Sequence, residues 1–156
     1  MQKLFKLTEL IKVITKLKKQ KKIIVMTNGC FDIIHAGHVD YLEKSKKIGD
    51  ILIIAVNSDS SIRKLKGKSR PINKLKDRLK VLSALSSVDF VIAFNSKTPE
   101  NIYKKITPNI LTKGNEFKDI DKIAGANHVQ KHGGKIKLIK LYKNYSTTKI
   151  ISKIQS

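Results

Sequence analysis

Apolar residues recur along this chain in two rhythms, one helical and one extended. Between residues 4 and 19, Leu7, Leu10, Ile11, Ile14 and Leu17 stand three or four apart, which places them on one helix face, with Thr8 positioned to cap the start. After it come short β-branched runs at 23–27 and 51–56, separated by a helical stretch over 38–47 that Gly49 can close. That is a β-α-β unit, so its strands should be parallel and its crossover right-handed. Asn73 can cap a helix carrying Leu75, Leu79 and Leu82, and Phe90–Phe94 reads as another buried strand. Thr98-Pro99-Glu100 combines a cap, a first-turn proline and an acid near the helix dipole. Strands are expected again at 110–112 and 136–141, and Ser146 or Thr147 can cap a last helix through Ile150 and Ile154.

Strands alternating with helices predict an α/β protein: a single Rossmann-like, doubly wound parallel sheet of about five strands with an N-terminal helix. The expected organisation is one domain over residues 1–156, with residues 1–21 forming an amphipathic helix packed on it. No internal repeat or low-complexity linker interrupts the pattern. In such a sheet the loops after Thr27, after Val56, after Thr112 and before Ser146 share the carboxyl edge, so residues far apart in sequence converge there.

The stretch from Gly29 to His38 reads GCFDIIHAGH and directly follows a predicted strand. A strand that breaks at Gly29 and restarts as a helix near Gly37 forms a cradle for a phosphate, because helix-start N–H groups and the dipole favour an anion. His35 and His38, three apart, share one face of that helix start and add donors to the same oxygens. Gly37 removes a side chain where a nucleotide would press on backbone. A second helix start at Thr147 is expected to face the same triphosphate. The combination points to phosphoryl or nucleotidyl transfer.

Composition changes this picture in one respect. The net charge of +21 makes a nucleic-acid-binding module the natural rival. Nearly all of that charge is lysine spread along the chain, Arg63, Arg70 and Arg78 are the only arginines, and aromatic residues are few and not interleaved with basic ones. The lysines therefore read as solvated faces, and neither nucleic acid nor membrane is expected as a partner. No apolar run approaches bilayer length, and MQKLFKLTEL lacks a long apolar core with a small-residue cleavage site, so a cytoplasmic protein is expected. The single cysteine, Cys30, excludes an intramolecular disulfide and agrees with a reducing compartment. No dedicated base accompanies Cys30, so it does not read as a nucleophile.

The H-x-G-H pair resembles the signature of the nucleotidyltransferase superfamily that contains the cytidylyltransferases. Ala55-Val56-Asn57-Ser58-Asp59, Leu65-Lys66-Gly67 with Arg70-Pro71-Ile72-Asn73, Val88-Asp89-Phe90-Val91, Thr98-Pro99-Glu100 and Tyr145 to Ile150 extend the resemblance to the D-glycero-β-D-manno-heptose 1-phosphate adenylyltransferases. It runs from about Leu7 to Ile154. It implies transfer of AMP from ATP to the sugar 1-phosphate, giving ADP-heptose for lipopolysaccharide, with Mg²⁺ carried by ATP and no protein metal ligand. His35 and His38 would serve the α-phosphate and transition state. Asn28, Gly29, Cys30 through its backbone, Phe31, Gly37, Lys66, Arg70, Arg78, Lys113, Gly114, Ser146, Thr147 and Thr148 would bind the nucleotide. Asp32, Asn57, Asp59, Asn115 and Glu116 would lie near the acceptor, although Asp32 is equally suited to fixing the turn.

The resemblance has departures. Those enzymes commonly carry K-G-G-D-Y where this chain has Lys113-Gly114-Asn115-Glu116-Phe117; Asn tolerates a positive φ, Glu lengthens the acidic arm and Phe drops a hydroxyl. The nearest enzyme alternative, glycerol-3-phosphate cytidylyltransferase, has an arginine where this chain has Leu141. The heptose enzyme is often fused behind a sugar kinase, so a separate kinase is expected upstream. A homodimer, common in the superfamily, is left open.

Overall fold

The computed structural model describes residues 3–142 and 145–156. Its elements are α1 (Leu7–Lys19), β1 (Ile24–Gly29), α2 (Ala36–Lys46), β2 (Ile51–Asn57), α3 (Asp59–Lys66), α4 (Leu75–Ala84) and β3 (Phe90–Phe94). After them come α5 (Glu100–Ile106), β4 (Ile110–Gly114), a 3₁₀ turn (Ile120–Lys122), α6 (Ala126–Lys131), β5 (Lys135–Ile139) and α7 (Thr147–Gln155). The strands form one five-stranded sheet in the order β3-β2-β1-β4-β5, every pair parallel. This is the doubly wound Rossmann-like arrangement that the strand–helix alternation predicts.

The apolar runs are continuous because both sheet faces are covered. Ile24, Met26, Ile53, Ala55 and Ile92 face a layer built from α1, α5 and α6, where Leu10, Ile14, Ile102, Tyr103, Ile106 and Val129 are buried. Val25, Leu52, Ile54, Val56 and Val91 face the other layer, with Tyr41 and Leu42 of α2 and Leu82 of α4. The period-two alternation of a strand thus sends neighbouring residues into two different cores.

Several boundaries differ from expectation, each for a local reason. Residues 3–5 are extended rather than helical: Val91 N–H donates to the Lys3 carbonyl at 2.8 Å and Phe5 N–H to the Val91 carbonyl at 3.2 Å, which covers the free edge of β3. Thr8 therefore lies inside α1, and Lys6 is its cap residue, with the Glu9 carboxylate accepting the Lys6 N–H. Lys74, not Asn73, precedes α4, and Pro99 rather than Thr98 caps α5. β1 and β4 run two residues beyond the predicted 23–27 and 110–112 to Gly29 and Gly114, and β5 stops short of Leu141. Helices α3 and α6 were not anticipated; at eight and six residues they are too short for periodicity to reveal.

Gly49 N–H does bond the Lys46 carbonyl at 3.3 Å, so it closes α2 as expected. Its lack of a side chain matters for approach as well. An added Cβ would lie 2.4 Å from Val25 Cγ2 and 3.0 Å from the Ile23 carbonyl oxygen. Gly49→Ala is expected to destabilise the fold by about 1–3 kcal/mol, seen as a lower urea midpoint with an unchanged slope.

Candidate active site

A cavity of about 540 Å³ opens at the carboxyl edge of the sheet. Its wall brings together most of the residues the sequence singled out: Asn28, Gly29, Cys30 and Phe31 after β1, His35, Gly37 and His38 at α2, and Asn57 after β2. Lys66, Lys113, Gly114, Glu116, Ser146, Thr147 and Thr148 complete the set. The starts of α2 and α7 both face this space, as expected.

His35 is the cap residue of α2, and its carbonyl accepts the His38 N–H at 2.9 Å, so the first helical turn itself fixes the pair. The two rings stack with centroids 3.9 Å apart and planes 24° from parallel. Phe31 flanks His38 at 5.2 Å and Tyr145 flanks His35 at 6.0 Å. Both Nδ1 atoms are buried without a hydrogen-bond partner among the described residues. Burial lowers the pKa of His35; burial, then the neighbouring His35 and Lys66, pushes that of His38 down to about 4. Both imidazoles are therefore uncharged at neutral pH and present N–H groups rather than full charges. The space a Gly37 side chain would occupy is taken by the His35 ring and Tyr145 Cβ, each 3.1 Å away, so this glycine serves the packing of the histidine as well as backbone access.

Lysines supply the charge. Lys113 Nζ donates to Asn28 Oδ1, which also accepts the Tyr103 hydroxyl at 2.6 Å, and burial, partly offset by Glu116, lowers the Lys113 pKa to about 8. Lys66 stands at the end of α3 and Lys97 in the loop after β3. Ser146 Oγ accepts the Lys149 N–H at 3.1 Å, so it caps α7 while lining the cavity, and Thr147 Oγ1 donates to the Ile33 carbonyl at 3.4 Å. Burial raises the Cys30 pKa, which keeps its thiol protonated and agrees with its exclusion as a nucleophile.

Five expected site residues are not in the wall. Arg78 is 1% exposed, and its guanidinium is committed to the Asn73 and Cys30 carbonyls and the Asp59 carboxylate, so it is not a free phosphate ligand. Asp59 is its ion-pair partner at 2.8 Å and lies outside the cavity wall. Asp32, 3% exposed, accepts from Arg70 Nε at 2.7 Å and from the Ile72 and Asn73 N–H groups, an arrangement suited to fixing the turn. Arg70 is correspondingly turned toward Asp32. Asn115 Oδ1 accepts the Leu141 N–H at 3.2 Å, and its φ is not positive. Conversely, Tyr41, Leu65, Lys97, Phe117, Leu141, Tyr142 and Tyr145 line the cavity without having been expected. Leu65, Phe117, Leu141 and Tyr145 fall in stretches that carry the resemblance or depart from it, and Tyr41 stands three residues after His38 on the same helix, whereas nothing in the sequence marked Lys97 or Tyr142.

Two helix starts, a pair of imidazoles and Lys66, Lys97 and Lys113 around one cavity suit a ligand that brings its own negative charge, the setting of a nucleotide-phosphate site. The cytidylyltransferase-like family model matches residues 26–153; the chain belongs to that family and is a nucleotidyltransferase. It is 49% identical over 147 residues to the bifunctional protein HldE of Pasteurella multocida, covering 94% of this chain and 31% of that protein. The bifunctional protein HldE of Pseudomonas syringae is 46% identical over 149 residues, 96% of this chain and 31% of that one. The chain thus spans about a third of the length of these relatives. A lipopolysaccharide core biosynthesis protein from Thermoplasma volcanium is similar in structure, with TM-score 0.64 and 35% identity over 80% of this chain and 99% of that one. A pantoate-β-alanine ligase from Francisella tularensis shares the fold, with TM-score 0.68 at 14% identity. Among the described residues no helix is long and apolar enough to cross a membrane.

The neutral histidines have a measurable consequence. An unfolded histidine titrates near its ordinary 6.5, whereas folded His38 takes up its proton only near 4, so between these values the unfolded chain binds the extra proton. Stability should therefore fall as pH drops from about 6.5 to about 4, by at most about 1.4 kcal/mol per pH unit from this group. His38→Asn is expected to flatten that part of the curve, measured by urea unfolding at stepped pH.

Proposed function

We propose that this chain transfers the AMP moiety of ATP to D-glycero-β-D-manno-heptose 1-phosphate, releasing pyrophosphate and forming ADP-heptose for lipopolysaccharide core synthesis. The observation that carries the reading is the stacked His35–His38 pair at the start of α2, on one cavity with the start of α7. Near-complete coverage of the chain by proteins named HldE, and a structural relative named for lipopolysaccharide core biosynthesis, support the acceptor.

In this reaction an oxygen of the sugar phosphate attacks the α-phosphorus as the bond to the β-phosphate oxygen breaks. The attacking group is already ionised, so no enzyme nucleophile is required. Neutral imidazole N–H groups and the N–H groups opening α2 and α7 donate to the α-phosphate oxygens as charge builds on them, and Lys66, Lys97 and Lys113 balance the rest. Mg²⁺ would be carried by the nucleotide: among the described residues the wall offers three lysines against one carboxylate, Glu116, a donor set suited to phosphate oxygens rather than to a resident cation. A sugar kinase supplies the phosphorylated acceptor. Leu141 stands in the wall where the glycerol-3-phosphate cytidylyltransferases have an arginine, which favours the sugar-phosphate reading.

Pyrophosphate release is measured with Mg²⁺, pairing ATP or CTP with heptose 1-phosphate or glycerol 3-phosphate. Turnover is expected only with ATP and the heptose; turnover with CTP and glycerol phosphate overturns the substrate assignment. His35→Ala and His38→Ala are each expected to lower kcat by about 10²–10³-fold with folding retained.

A further inference from the structure

We infer that Arg78 is a positioning residue that fixes the Cys30 carbonyl and, through the turn that follows it, the ring of His38. A fully buried guanidinium is costly unless its donors are matched, and here three chain segments match them. Nε donates to the Asn73 carbonyl at 3.0 Å, Nη1 to the Cys30 carbonyl at 2.6 Å and Nη2 to the Asp59 carboxylate at 2.8 Å. The loop before α4, the turn after β1 and the head of α3 thus meet on one side chain. Asp32 repeats the arrangement one step along: its carbonyl accepts Asn73 Nδ2 at 2.6 Å, and its carboxylate accepts the Asn73 N–H at 2.8 Å.

What lies between these two anchored carbonyls is Phe31, with φ at +48°. A bulky side chain rarely adopts that region, and holding it there costs on the order of 1–3 kcal/mol, so the surroundings must over-determine it. The reward is the placement of its ring, 5% exposed and 5.2 Å from His38, which in turn stacks on His35. Lysine cannot replace this function, because one ammonium group does not span three acceptors set around a planar fork.

The kinetic arm of the test rests on the nucleotidyl-transfer reading. With ATP and the sugar phosphate, Arg78→Lys is expected to lower kcat about tenfold or more while KM for ATP stays within about threefold, the mark of misaligned chemistry rather than a lost ligand. Asp59→Ser, a milder change at the same anchor, should move kcat in the same direction while the chain still melts cooperatively. Wild-type kcat in folded variants, or a rise in KM with kcat kept, overturns the inference. A second readout needs no turnover: the His38 ring-proton resonances, displaced by the Phe31 and His35 rings, should relax toward those of an exposed histidine in both variants. Unchanged His38 resonances also overturn it. Absence of wild-type turnover with any substrate pair counts against the proposed function alone, since the resonance comparison still decides the role of Arg78.

Discussion

The structure depends on β1 being enclosed on both faces and both edges. β2 pairs with all six of its residues and β4 with Val25 and Met26, while Ile24, Val25 and Met26 are fully buried. A strand held this completely gives the chain leaving it a fixed origin. The turn after Gly29 therefore starts at a defined place and direction, and the helix that follows carries His35 and His38 to the carboxyl edge. Thr27, fully buried in the same strand, sets its hydroxyl 2.7 Å from that of Tyr41, which ties α2 to the sheet through a polar contact inside an apolar layer.

The electrostatics of the cavity follow from burial more than from net charge. A chain of +21 has cations to spare, yet burial favours the uncharged form of the two histidines stacked in its cavity. Lysines stand around them: Lys113 is held by Asn28, while Lys66 and Lys97 lie on loops and helix ends. Fixed N–H dipoles at the starts of α2 and α7 thus stand beside lysine charge in one wall. That combination suits a reaction in which charge shifts between phosphoryl oxygens without net proton transfer.

Behind the wall stands a group of polar residues bonded to one another, although Arg70 Nη2 is buried without a hydrogen-bond partner among the described residues. Asp32, Arg70, Asp59, Arg78 and Asn73 form a connected set that ties the turn after β1 to α3 and to the loop before α4. Lys18 does comparable work at the opposite edge of the sheet, donating at 2.6 Å to both the Ile106 and Thr107 carbonyls at the end of α5, where burial lowers its pKa.

The sequence by itself determined the alternation of strands and helices, the parallel sheet and the histidine pair, because each is written in local spacing. Periodicity marks the strands, and two histidines three apart at a helix start must share a face. The cap of α7 was legible for the same reason: Ser146 bonds an amide three residues away. The tertiary structure alone decided which charged residues face the cavity. Arg78 and Asp59 are nineteen positions apart and Asp32 and Arg70 thirty-eight, so nothing local shows that they neutralise each other. Tyr145 and Lys97 join the wall from outside any helix or strand, where periodicity gives no signal. A rare arginine or an aspartate inside a signature reads in the same way whether it meets a ligand or another residue; the difference lies in distances that only the folded chain creates.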